Sequence, residues 1–263
     1  MRVIITESAD HVAHIAADCV CEALAPGQDC VLGLATGSTP VRLYGELIRR
    51  HHAGAVSFAR ATSFNLDEYV GLAPDHPQSY RAFMNRELFD HVDIDPSRTH
   101  VPDGLADPAD EAQRYEQAIS DAGGIDLQVL GIGRNGHIGF NEPTSSLASR
   151  TRLKTLTPST IEANSRFFGP GETPPRLAIT MGIGTILDAR RVLLLATGRA
   201  KAPAVRNAVE GPLSAMVPAS ALQWHNDAVI LVDRDAASLL QQVEYYEHVE
   251  NEARRLAAEQ CHG

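Results

Sequence analysis

Short apolar runs alternate with amphipathic stretches along almost the whole chain, and no other feature restricts its fold as much. The runs Arg2–Thr6, Cys30–Leu34, Thr62–Asn65, Leu127–Gly131, Arg191–Thr197 and Ala228–Asp233 have the length of strands. Several are nearly continuous in apolar residues, as strands buried on both faces should be. Helical patterns fill the gaps at Ser8–Ala25, Pro40–His52, Gln78–Val92, Asp107–Ala122, Arg199–Glu210 and Asp235–Glu259. Ser8 is a capping residue type, and Pro40 suits a first helical turn. Strand, helix, strand in repetition predicts an α/β fold, a parallel sheet with helices on both faces. The 263 residues fit one such domain, and no repeat or low-complexity tract divides them.

One segment breaks the rhythm. From about Thr144 to Thr180 no clear strand is visible, and the stretch FFGPGETPPR is dense in Gly and Pro. That is too long for an ordinary connection. Two readings compete: a mobile lid over a site, at about 150–180, or an excursion packed against a neighbour. The lid is favoured because the segment directly follows the strongest motif in the chain.

Charge and cysteine use narrow the function classes. A formal net charge of −10 argues against a nucleic-acid partner, which would call for a basic face. It does not exclude an anionic small substrate, because a phosphate needs only a few local donors. No apolar run approaches the roughly 18 residues of a membrane span. Cys19, Cys21, Cys30 and Cys261 show no zinc spacing and read as reduced thiols. The opening MRVIITESAD reads as a strand and a helix start, not as a signal peptide. A cytoplasmic protein is expected.

Four constellations carry chemistry. Leu34-Ala35-Thr36-Gly37-Ser38-Thr39-Pro40 joins a strand to a helix. Free N–H groups and the helix dipole would make it an anion cradle; a tight turn that binds nothing is the other reading. Ser63-Phe64-Asn65-Leu66-Asp67-Glu68-Tyr69 ends another strand. Its carboxylates supply either a general base or only a helix cap or solvated turn. Gly131-Ile132-Gly133-Arg134-Asn135-Gly136-His137-Ile138-Gly139-Phe140-Asn141-Glu142-Pro143 places a proton-shuttling histidine beside Asn and Glu in a glycine-rich loop. One His with one Glu is a poor metal set, so no metal is expected. Arg166 and Lys201 stand apart from charge runs, and either could clamp a phosphate or simply sit in solvent.

Together these stretches resemble the glucosamine-6-phosphate deaminases over nearly the whole chain. LATGSTP, FNLDEYVGL, HPQSYRAFM, GIGRNGHIGFNEP, SSLASRTRLKTL and ANSRFF carry the resemblance. GHIGFNEP followed by SSLASRT is the most specific part. The resemblance implies a Rossmann-like fold with a mobile lid, a sugar-phosphate substrate and no cofactor. It implies that Asp67 moves the C2 proton to C1. It implies that His137 opens the sugar ring, assisted by Glu142 and Asn135, a position where some relatives carry Asp. Gly37, Ser38, Thr39, Arg166 and Lys201 would hold the phosphate.

Some members of this family are hexamers activated by N-acetylglucosamine 6-phosphate. The matching positions are Ser145, Ser146, Arg152, Lys154 and Thr155, so a homo-oligomer with that effector is the implied assembly. The family's C-terminal tyrosine contact falls near Tyr245 and Tyr246. The competing readings are a lactonase or a sugar-phosphate isomerase on the same scaffold, and a silent sugar-phosphate sensor. A lactonase should lack the paired FNLDEY and GHIGFNEP motifs. A sensor should have lost Asp67, His137 and Glu142.

Overall fold

A computed structural model describes residues 1–157, 161, 162, 168 and 173–260. Its strands are β1 Arg2–Thr6, β2 Cys30–Leu34, β3 Ala61–Asn65, β4 Asp67–Tyr69, β5 Thr99–His100, β6 Leu127–Gly131, β7 Arg152–Thr155, β8 Leu177–Thr180, β9 Arg191–Ala196 and β10 Ala228–Asp233. Its α-helices are α1 Ala9–Ala23, α2 Ser38–His52, α3 Tyr80–Glu87, α4 Pro108–Asp121, α5 Ile183–Leu187, α6 Ala202–Val209 and α7 Val243–Gln260. Among the described residues, seven strands form a parallel sheet in the order β1-β10-β9-β6-β2-β3-β5.

The apolar runs explain the layering. Successive side chains on a strand point to opposite faces. On β9, Val192 and Leu194 therefore join one core, and Leu193 and Leu195 the other. On β10, Ile230 and Val232 part in the same way from Val229 and Leu231. One core packs against α4, α5 and α6 through residues such as Tyr115, Ile186 and Val205. The other packs against α1, α2 and α3 through Val12, Leu43 and Met84. Helix starts are chemically marked. Ser8 Oγ accepts from the His11 N–H at 3.2 Å, and Asp107 Oδ1 accepts from the N–H groups of Ala109 and Asp110.

The strand order places a switch point between β2 and β6. From β2 the chain winds outward through β3 to β5; from β6 it winds the other way, through β9 to β10. Open α/β sheets bind ligands at the carboxyl ends of the strands beside such a point.

Three expectations need correction. The reading of no strand between Thr144 and Thr180 fails at both ends of the segment. Strands β7 and β8 pair there, and β8 also pairs with β4, giving a small antiparallel sheet in the order β4-β8-β7. RLKT and LAIT are four residues each, too short for periodicity to register. The predicted helix over Asp235–Glu259 starts only at Val243. Before it, the Asp233 carboxylate takes the Ala236 N–H and the Glu210 carboxylate takes those of Gln241 and Gln242. Side-chain acceptors thus hold backbone groups in turns that a helix would need. The Gln78–Val92 helix stops at Glu87, where Leu88 leaves helical geometry before a short 3₁₀ turn, Phe89–His91. Arg166 and the stretches 158–160, 163–167 and 169–172 of the expected lid lie outside the described residues.

Candidate active site

The carboxyl ends of β2, β3 and β6 surround a cleft of about 230 Å³ at the switch point. Gly37, Ser38, Thr39, Asp67, Gly133, His137 and Lys201 all line it. Segments far apart in sequence thus face one volume.

The loop after β2 forms one end. Gly37 has φ +99°, a left-handed value that disfavours any residue with a Cβ. That turn starts α2 at Ser38, so the first N–H groups of the helix point out of it without intrahelical acceptors. The first turn of α2 carries no acidic residue, and the last carries Arg49, Arg50, His51 and His52. The basic last turn complements the helix dipole, and the N-terminus is left open to an anion. The buried Tyr44 hydroxyl donates to the Ala35 carbonyl at 2.6 Å and anchors the loop to its helix. Lys201 ends a short turn, Arg199–Lys201, and its Nζ donates to the Ile132 carbonyl at 2.6 Å. Burial lowers its pKa, as does Arg134 nearby, so an added anion would relieve both effects.

Asp67 begins β4, just past the end of β3. Leu66 holds the junction: its N–H donates to the Leu34 carbonyl at 3.0 Å, and its carbonyl accepts from Met181 N–H at 2.7 Å. The Tyr115 hydroxyl donates to the Asn65 carbonyl from α4 at 2.8 Å. Asp67 is only 5% exposed. An aromatic wall of Tyr69, Tyr80 and Phe140, with ring centroids 4.8–6.0 Å apart, stands beside it. Burial pushes the Asp67 carboxyl up to about 8; the negative charge of Glu68 adds to this and the Phe140 N–H opposes it. It is a proton-avid group on the wall of the cleft.

His137 approaches from the loop after β6. Its ring packs directly on Gly133, where an added Cβ would stand 2.3 Å from the ring. Behind the ring lies Glu142, buried at 4% exposure, with Oε2 at 3.3 Å from His137 Nδ1, outside hydrogen-bond alignment. Asn135 Nδ2 donates to the same Oε2 at 2.6 Å, and its Oδ1 accepts from the His137 N–H at 3.2 Å. Asn135 therefore bridges the histidine backbone to the glutamate. Asn135 and Glu142 stand behind the cleft, beside the ring, and do not line the volume.

The remaining predicted positions lie elsewhere. Arg152 and Lys154 alternate along β7 and share its half-buried face, whereas Thr155 is exposed on the other. Ser145 is buried with its Oγ unpartnered, and Ser146 is exposed with its Oγ accepting from the Ala148 N–H. Arg166 is outside the described residues. Tyr80 lines the cleft as well, a residue that sequence reasoning missed. Its signal was Ser79, the residue that caps α3 just before it. Among the described residues no group of three His, Cys, Asp or Glu could hold a metal, and no helix is long and apolar enough to cross a membrane.

Comparison with known proteins agrees with this geometry. Residues 5–231 match the family model of glucosamine-6-phosphate isomerases and 6-phosphogluconolactonase. A glucosamine-6-phosphate deaminase of Hahella chejuensis is 60% identical over 256 residues, covering 97% of this chain and 98% of the relative. One of Shewanella loihica is 59% identical, covering 98% and 97%. A solved monomeric glucosamine-6-phosphate deaminase superposes with a TM-score of 0.87 at 48% identity, over 91% of this chain and 100% of that one. The 6-phosphogluconolactonase of Leishmania guyanensis, at 22% identity and a TM-score of 0.70 over 91% of this chain and 98% of that one, shares the fold. By sequence, by sheet and by the residues gathered at its switch point, the chain belongs to the family of glucosamine-6-phosphate isomerases and 6-phosphogluconolactonases, on its glucosamine-6-phosphate deaminase side.

Proposed function

We propose that this chain deaminates D-glucosamine 6-phosphate, with water, to D-fructose 6-phosphate and ammonia, as a cytoplasmic enzyme of amino-sugar catabolism. The observation that carries the reading is that Asp67 and His137 face one cleft whose end is the N-terminus of α2 beside Lys201. The phosphate sits on the Gly37, Ser38 and Thr39 cradle with Lys201, and Arg166 completes the clamp. His137, oriented by Glu142 and Asn135, carries a proton between the sugar hydroxyl and the ring oxygen and opens the ring. Asp67 then takes the C2 proton and returns it to C1. The resulting C2 imine is hydrolysed, releasing ammonia. Each proton transfer contributes on the order of 100- to 10,000-fold. Holding the phosphate fixes the reacting carbons against the base. The segment at about 150–180 acts as the lid that shuts the cleft.

The same reading extends to regulation. Ser145, Ser146, Arg152, Lys154 and Thr155 form a second phosphate site for N-acetylglucosamine 6-phosphate in a homohexamer. Two cations on one face of β7 and the unpartnered Ser145 Oγ support this. Thr155, on the opposite face, contributes through its backbone.

The test measures ammonia and fructose 6-phosphate from glucosamine 6-phosphate, for wild type and Asp67→Asn, with and without the effector. Stoichiometric products from wild type and almost none from the variant are expected. A folded wild type that forms neither product would sink the reading. A half-saturation that ignores the effector, with a monomeric mass in light scattering, would sink only the regulatory part.

A further inference from the structure

The reaction above leaves unused the second acidic residue of the Asp67-Glu68 pair. Glu68 is only 2% exposed, and its side chain does not line the cleft. Its Oε1 accepts from the N–H groups of Tyr69 at 2.8 Å and Tyr80 at 2.9 Å, and its Oε2 accepts from the Arg81 N–H at 3.0 Å. Tyr80 and Arg81 are the first two residues of α3, and the next N–H, of Ala82, goes to the cap Ser79 at 3.0 Å. The opening N–H groups of this helix, orphans in any isolated helix, are thus divided between its own cap and a carboxylate from β4.

Among the described residues no cation neutralises that carboxylate by contact. The Arg81 guanidinium turns away to the Oγ1 and carbonyl of Thr99, each at 2.8 Å. Burial pushes the Glu68 carboxyl up, and the three N–H groups oppose that. Those three are all donors, so the ionised form is the one that fits. The arrangement does two things at once. It locks Tyr80, which lines the cleft, to the strand that carries Asp67. It also fixes a negative charge one residue from the base in a poorly screened interior.

We propose that Glu68 is a positioning residue for the deprotonation step: it pins Tyr80 and the base strand at the N-terminus of α3 and holds its charge next to the base. The proposal rests on Asp67 being the base. The titratable groups around Asp67 are Glu68 and Tyr69 from its own strand, Tyr80 from α3, Tyr115 from α4, and His137 and Lys201 across the cleft. Of these, Glu68 is the one whose charge raises the Asp67 carboxyl, second to burial.

Removing the Glu68 charge makes Asp67 easier to ionise. In Glu68→Gln the acid limb of kcat/KM should therefore move to lower pH by about one unit. Its alkaline plateau should fall by about tenfold, because the amide nitrogen cannot accept from the third N–H. Glu68→Asp keeps the charge but withdraws the oxygens by one methylene. Its limb should stay in place while its plateau drops, and this variant carries the test where Glu68→Gln fails to fold. The substrate-independent readout is a ¹³C carboxyl titration of Asp67, assigned as the signal missing in Asp67→Asn. Its midpoint should fall in Glu68→Gln and hold in Glu68→Asp. A midpoint and limb unmoved in Glu68→Gln, or a limb that moves as far in Glu68→Asp, overturns the proposal. A wild type with no turnover at all would overturn the deaminase reading instead, and the titration would still decide the role of Glu68.

Discussion

The two sides of the cleft use the same ingredients, a strand end and a buried carboxylate, and differ in what faces the carboxylate. Asp67 meets an aromatic wall and a second negative charge, and burial drives its carboxyl up to about 8. Glu142 meets the Asn135 amide at 2.6 Å and a histidine ring at 3.3 Å. One side holds a proton tightly, and the other sets a carboxylate and an amide against an imidazole. Burial alone does not decide what an acid does in a site; the partners it is buried with do.

The most damaging way to break the comparison is on the Asp67 side. Asp67→Asn should lower turnover of glucosamine 6-phosphate by about 1,000-fold or more, read as ammonia release. Retention of a tenth of wild-type activity would remove Asp67 from its role. The wild-type acid limb of kcat/KM should lie near 8, with activity falling as pH drops below it, since the base must be ionised. The same carboxyl links to stability. Its folded-state pKa is raised from 3.8, so the folded protein holds that proton more tightly than the unfolded chain. Wild type therefore loses stability as pH rises from about 4 through about 8, and Asp67→Asn does not. Thermal unfolding at pH 8.5 should show the inactive variant to be the more stable by at least about 1 kcal/mol, with the gap closing near pH 4.

On the other side, His137→Gln should cost about 100-fold in turnover, less than the loss of the base, because some open-chain sugar forms without help. A loss equal to that of Asp67→Asn would mean that the histidine takes part in the proton transfer at carbon as well. At the end of the cleft, Lys201→Ala should raise KM by about 10- to 100-fold and leave kcat within a few-fold, the signature of a binding group. A loss confined to kcat would argue against a phosphate contact.

The smallest change sharpens the contrast. Asn135→Asp would place a carboxylate against Glu142 Oε2, and so copy on the histidine side the like-charge pairing of Asp67 with Glu68. One proton should then be shared between the introduced carboxyl and Glu142. Activity should change only a few-fold, with the pH profile displaced rather than its height. A profile identical to wild type would show that the amide hydrogen bond has no influence on the imidazole.

Much of this was legible from residues in order. Each strand of the large sheet except the two-residue β5 was expected from the sequence, all but the mixed ATSFN of β3 as apolar runs. The loops after β2 and β6 showed themselves as glycine-bearing motifs at strand ends. The start of α1 followed from Ser8. The small sheet was not legible, since β4, β7 and β8 hold three or four residues each, and their pairing joins Asp67 to Thr180 and Lys154 to Ala178. Nor was the late start of α7, which depends on Asp233 and Glu210 capturing N–H groups, the second of them across a long stretch of chain.

By itself the sequence determined the class of fold and the chemical inventory, because periodicity and turn chemistry are local and act wherever the chain is placed. Only the tertiary structure decided which way each carboxylate serves. Asp67 and Glu68 are neighbours in the chain, and both are acidic and buried. Pleating sends one into the cleft and the other to the N-terminus of α3, and that separation rests on contacts between β4, β8 and α3 that no local pattern encodes.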